Sequence, residues 1–175
     1  MAIMLFDRWL HIVAGVMWVG LLYYFNFVQM PALAAATADK DGPGPAAITR
    51  YVAPRALFWF RYASLATWLS GALYLAFKPG QAVGKYFVQA FTLGIGQHDP
   101  LVTSIGIGAW LGTIMLANVW LVIWPAQQRI LGMVPATEEE KAAARRRALY
   151  ASRANVALSL PMLLFMQSGS HGVPF

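Results

Sequence analysis

The sequence predicts an all-α integral membrane protein: four transmembrane helices in one bundle, N-out/C-out. Three observations lead there. Only 11% of the 175 residues are charged and 59% are hydrophobic, whereas a soluble domain carries roughly a quarter charged residues. Several apolar runs approach the ~20 residues that a helix needs to cross a bilayer. Lys and Arg are also shared unevenly among the segments between those runs, the bias that orients a membrane protein.

The formal charge of +6 is therefore read as topology signals and not as a nucleic-acid footprint. There is no cysteine. That excludes disulfides, iron–sulfur clusters, thiolate zinc sites and c-type haem attachment on these residues. Histidine, methionine, tyrosine and acids are left as ligands.

Span one covers residues 6–33. It is too long for a cleaved signal peptide, and Asp7 and Arg8 stand at its front, so it is expected to be retained. Its far end holds Tyr23, Tyr24, Asn26 and Gln29 before Pro31. Residues 34–55 read as a polar linker rich in Gly and Pro. Span two covers 56–77 and stops at Lys78-Pro79-Gly80. Residues 78–100 are ambiguous: the apolar piece at 88–93 is too short to cross and suits an interfacial or re-entrant segment. Span three covers 101–124, closed by Pro125, and Gly106, Gly108 and Gly112 predict close helix packing. Within residues 125–147, Thr137 precedes three glutamates and then a run of arginines, an N-capped helix with charges matched to its dipole. Span four covers 148–166, so residues 1–175 form a single four-span membrane domain with no internal repeat.

Ten of the thirteen Lys and Arg lie in or beside the 34–55 and 125–147 loops. Both loops are thus expected in the cytoplasm, and the termini and the 78–100 loop in the periplasm, of a bacterial inner membrane. This topology sends all three histidines, His11, His98 and His171, to the outer face. Each has a plain reading, a ring hydrogen-bonded to a carbonyl at the interface. The sharper reading is ligation, since neutral imidazole holds haem iron, copper or iron. His11 and His171 are then the candidate ligands of a b-type haem, with His98 as a third metal candidate. Gly15 and Trp18 share one helical face with His11, where Gly15 admits a macrocycle or a neighbouring helix and Trp18 packs beside it. A second polar set, Arg61, Asn118, Arg153 and Asn155, lies toward the cytoplasmic end. The two arginines there are expected to snorkel, and the asparagines to face inward and join helices.

Five stretches together resemble the membrane (N-terminal) domain of the bacterial membrane-bound urate oxidase, or urate hydroxylase, family. They are His11-Ile-Val-Ala-Gly-Val-Met-Trp-Val-Gly20, Trp59-Phe-Arg-Tyr, Thr67-Trp-Leu-Ser-Gly71, Asn118-Val-Trp-Leu-Val-Ile-Trp-Pro125 and Ala151-Ser-Arg-Ala-Asn155, the last followed by Leu158-Ser-Leu-Pro-Met and Ser170-His171. The resemblance implies a multi-span fold, places His11 and His171 on family histidines, and brings urate oxidation into view. In that family a cytochrome c domain follows; no Cys-x-x-Cys-His occurs here, and further spans of the family have no counterpart. Phe58 and Ala63 stand where the family's second span often carries a histidine and a glutamate.

The functional expectation is a membrane redox protein with a histidine-ligated haem b near the periplasmic face, exchanging electrons with a c-type cytochrome or a larger membrane complex. The alternatives are a non-catalytic accessory subunit of a respiratory or photosynthetic complex, and urate oxidation itself.

Overall fold

The computed structural model describes residues 2–96, 98–168 and 172. Those residues are helix and connecting turns, with no strand among them. Helix α1 (Ala2–Tyr23) passes through a π-helical turn (Tyr24–Gln29) into α2 (Met30–Ala38). A second π turn (Ile48–Val52) opens α3 (Ala53–Ala76). A short helix, α4 (Lys85–Phe91), precedes α5 (Pro100–Asn118), which runs through a third π turn (Val119–Ile123) into α6 (Trp124–Ile130). The last helix, α7, spans Glu138–Met166.

Three continuous helices, Ala2–Ala38, Pro100–Ile130 and Glu138–Met166, are long and apolar enough to cross a membrane. They mark a multi-pass membrane protein. α3 has 24 residues and so is long enough as well, but Arg61, Tyr62, Ser64, Thr67 and Ser70 make it less apolar. Outward faces are greasy in the way lipid permits: Ile3 is 82% exposed, Val16 69% and Leu121 75%.

The sequence reading closes span three at Pro125 and span one at residue 33, just past Pro31; the structure carries both helices well beyond these prolines. The helix passes each of them, and Pro54 too, in the same manner. The residue before the proline donates its N–H to the carbonyl five residues back: Met30 to Phe25, Ala53 to Ile48, Trp124 to Val119. A proline has no N–H and its ring presses on the carbonyl four residues back. One wider turn absorbs that conflict without ending the helix. The helices therefore run to Ala38 and Ile130, and the linker is narrower than its composition indicates. The basic stretch and the fourth apolar run are likewise one helix, α7, opened by the N-cap expected at Thr137, which the structure completes as a capping box: Glu140 N–H donates to Thr137 Oγ1 (3.2 Å) and Thr137 N–H to Glu140 Oε2 (2.7 Å).

α1 packs chiefly on α3, and α5 on α7. The main core joins both pairs through Trp18, Leu22, Phe60, Met115, Val119 and Met162. A smaller cluster of Leu75, Tyr86, Ala90 and Val102 seats α4 on the ends of α3 and α5. The glycines of α5 serve this packing. A side chain at Gly106 would collide with the Ala90 carbonyl, and one at Gly108 would meet Met166 at 3.1 Å.

Candidate functional site

His11 lies in the seam between α1 and α3, half-buried. Its Nδ1 is 2.8 Å from the carbonyl oxygen of Thr67. A carbonyl only accepts, so Nδ1 carries the hydrogen. In the neutral ring Nε2 is then the nitrogen with the lone pair. Ser70 Oγ stands 3.5 Å from the same Nδ1 but donates elsewhere, to the carbonyls of Ala66 (2.6 Å) and Thr67 (3.1 Å).

The ring fits because residue 71 is glycine. A Cβ there would lie 2.8 Å from His11 Cε1 and 3.0 Å from Nδ1, closer than real Cβ contacts come. Gly15 is less constrained, since a Cβ would meet Thr67 Cγ2 at an ordinary 3.6 Å. One turn before His11, on the same face, Asp7 Oδ2 is buried with no hydrogen-bond partner. Asp7, Thr67, Ser70 and Gly71 are not picked out by motif reasoning. The usable signal was the Thr67-Trp-Leu-Ser-Gly71 stretch, whose small residues one turn apart make the notch.

His98 is not gathered here. His98 is exposed, at φ 51° in the turn before α5. His171 lies outside the described residues. Among the described residues no group of three or more His, Cys, Asp or Glu side chains stands together as a metal site. Trp18 packs into the main core, 2% exposed, with its indole N–H unpaired. Trp9 points outward, 55% exposed, with its ring 5.8 Å from that of Phe6.

The second polar set divides. Asn118 and Asn155 form a clamp between α5 and α7: Asn118 Nδ2 donates to Asn155 Oδ1 and to the Ala151 carbonyl, both at 2.8 Å, and Asn155 Nδ2 donates to the Met115 carbonyl at 3.1 Å. Asn155 is fully buried. Arg61 instead lies flat on Trp124, its guanidinium carbon 3.6 Å from the ring centre, with Tyr62 at 4.8 Å and Trp120 at 5.3 Å. Arg153 is exposed on α7. These four residues do not converge on one cavity. An open depression at the head of α7 is lined by Pro135, Ala136, Thr137 and Glu140, none of them a candidate residue.

A family model described as urate oxidase N-terminal matches residues 101–175, the stretch that contains α5, α6 and α7. No curated protein and no solved structure matches the chain. The matched stretch includes Asn118, Asn155 and Pro125, which also carry the resemblance visible in the residues. Over residues 101–175 the chain is thus similar to the N-terminal domain of urate oxidase.

Proposed function

We propose that this chain is a four-span redox protein of the bacterial inner membrane, N-out/C-out, which binds a b-type haem through His11 near the periplasmic face. The observation that carries the reading is the state of His11. An imidazole that gives Nδ1–H to a backbone carbonyl has its tautomer and ring plane set, and Nε2 is left as a basic nitrogen. Haem proteins orient axial histidines in this way. The donor chemistry therefore fits haem iron on one side. His171 is the proposed second ligand, carried over from the family resemblance. Haem would supply one-electron transfer. The residues of the chain hold and tune it: the Thr67 carbonyl fixes the ring, Gly71 gives it room, and the buried Asp7 carboxyl lies one turn away. Electrons would pass to or from a c-type cytochrome or a larger membrane complex.

An absorption spectrum of the purified protein, with a pyridine haemochrome assay, tests this. A Soret band is expected, and His11→Ala is expected to remove it while the detergent-solubilised protein stays folded. Folded wild-type protein without haem would overturn the reading.

The family match favours a second reading, a role in urate oxidation. Its test is urate consumption by membranes that contain this chain and an added electron acceptor. Turnover above that of control membranes would carry it, and no turnover would sink it.

A further inference from the structure

Arg61 lies on α3, in a chain whose outer surface suits lipid. An arginine at such a place is costly unless paired or able to reach the interface. Among the described residues its guanidinium has no carboxylate partner and no hydrogen-bond acceptor; its Nε is buried and unpaired. The indole N–H of Trp120, beside it, is also buried and unpaired. The charge is balanced only by ring faces. Trp124 lies against it, with Tyr62 and Trp120 around it. Such stacking attracts the cation but accepts none of its five N–H groups.

The cage is built by sequence features already described. The π turn before Pro125 carries Trp120 and leads into Trp124, so two indoles four residues apart face α3. Tyr62 follows Arg61 directly and is 43% exposed, and nearby Trp59 is 56% exposed, the kind of aromatic belt that lies at a headgroup boundary. This is the end of the bundle that carries most of the Lys and Arg, including Arg50, Arg55 and Arg129.

We infer that Arg61, with Trp120, binds a phosphate oxyanion at this end of the α3–α6 seam. A phosphate satisfies both unmet needs at once, charge and acceptors. Arginine suits it because the planar guanidinium presents two parallel N–H donors to two phosphate oxygens. In a membrane the nearest source is the headgroup phosphate of an anionic phospholipid; free phosphate has the same chemistry. Contact with the Trp124 ring leaves the guanidinium N–H groups without an acceptor of their own, and the Trp120 indole N–H offers one further donor when the side chains adjust around the anion.

Native mass spectrometry of the full chain, purified in mild detergent from membranes rich in phosphatidylglycerol, tests the inference. The expected result is one retained phospholipid per chain. Arg61→Gln should lower its occupancy about tenfold, the range for a charge-assisted hydrogen bond. Arg146→Gln, an exposed arginine on α7, should leave it unchanged. Trp120→Phe keeps an aromatic side chain but removes the indole N–H, so it should weaken retention without unfolding the chain. It decides the matter if Arg61→Gln does not fold. Delipidated protein is then titrated with inorganic phosphate, read by tryptophan fluorescence. A response to phosphate that is lost in Trp120→Phe or Arg61→Gln, with no retained lipid, assigns the site to a free oxyanion. The inference is overturned if neither phosphate source binds, or if binding is indifferent to both variants.

Discussion

Two of the polar seams in this bundle differ in how completely they are satisfied. Between α5 and α7, Asn118 and Asn155 spend their amides on each other and on the carbonyls of Ala151 and Met115. Between α1 and α3, His11 uses one nitrogen on the Thr67 carbonyl and keeps the other, while Asp7 Oδ2 has no partner. Away from water an unmet polar group is costly. A closed seam is therefore what pure packing looks like, and an open one stands out as a place where something else is received. The asparagines hold the bundle together; the histidine is held by it.

The sharpest way to test that contrast is to open the closed seam. Asn155→Leu removes an acceptor from Asn118 and a donor from the Met115 carbonyl, at a position that is fully buried. Interhelical hydrogen bonds in membranes average about 0.6 kcal/mol and reach about 1.7. With two lost and a branched side chain forced into the gap, a loss of about 2–4 kcal/mol is expected. Thermal unfolding in detergent should show it as the largest drop of the three variants considered in these seams. The His11 ring in the surviving folded fraction should keep its tautomer. A small change in stability would mean that the clamp is ornamental.

The sequence shows the clamp's members but not the clamp. Asn118 and Asn155 are legible as inward-facing polar residues, yet their pairing spans 37 residues and depends on which helices are neighbours. The Thr137 N-cap is local and was legible; the reciprocal bond to Glu140 that completes the box emerges only from the structure. The continuation of the helix past Pro125 was not legible. A proline after an apolar run ordinarily means a stop, and nothing in a single sequence says that one wider turn will carry the helix past it. His11 is legible as the polar exception in its run. Its partner is a backbone carbonyl 56 residues away, which leaves no mark in residue types. Gly71 is legible only as a small residue; its role appears once the ring is seen against it.

The open seam is probed next at that glycine. Gly71→Ala adds a methyl group 2.8 Å from His11 Cε1, so the ring must retreat and the Nδ1–Thr67 bond lengthens. Overpacking of this kind costs about 1–3 kcal/mol. Its specific signature is at the histidine. In haem-free wild-type protein the 15N shifts of His11 should report protonated Nδ1 and bare Nε2, and in haem-free Gly71→Ala they should move toward a mixture of tautomers. Haem retention should fall with them. Unchanged shifts would show that the glycine does not seat the ring.

The smallest effect is expected at the residue whose backbone does the work. Thr67→Val keeps the carbonyl that accepts from His11, and it keeps the methyl group facing Gly15. It deletes only the hydroxyl, which donates to the Ala63 carbonyl within the same helix. Such back-bonding adds little to a helix, so stability should change by less than about 1 kcal/mol. The His11 15N shifts and haem content should match wild type. If Thr67→Val disturbed them as strongly as Gly71→Ala, the hydroxyl and not the carbonyl would be orienting the ring. The argument that Nε2 is the free nitrogen would then lose its footing.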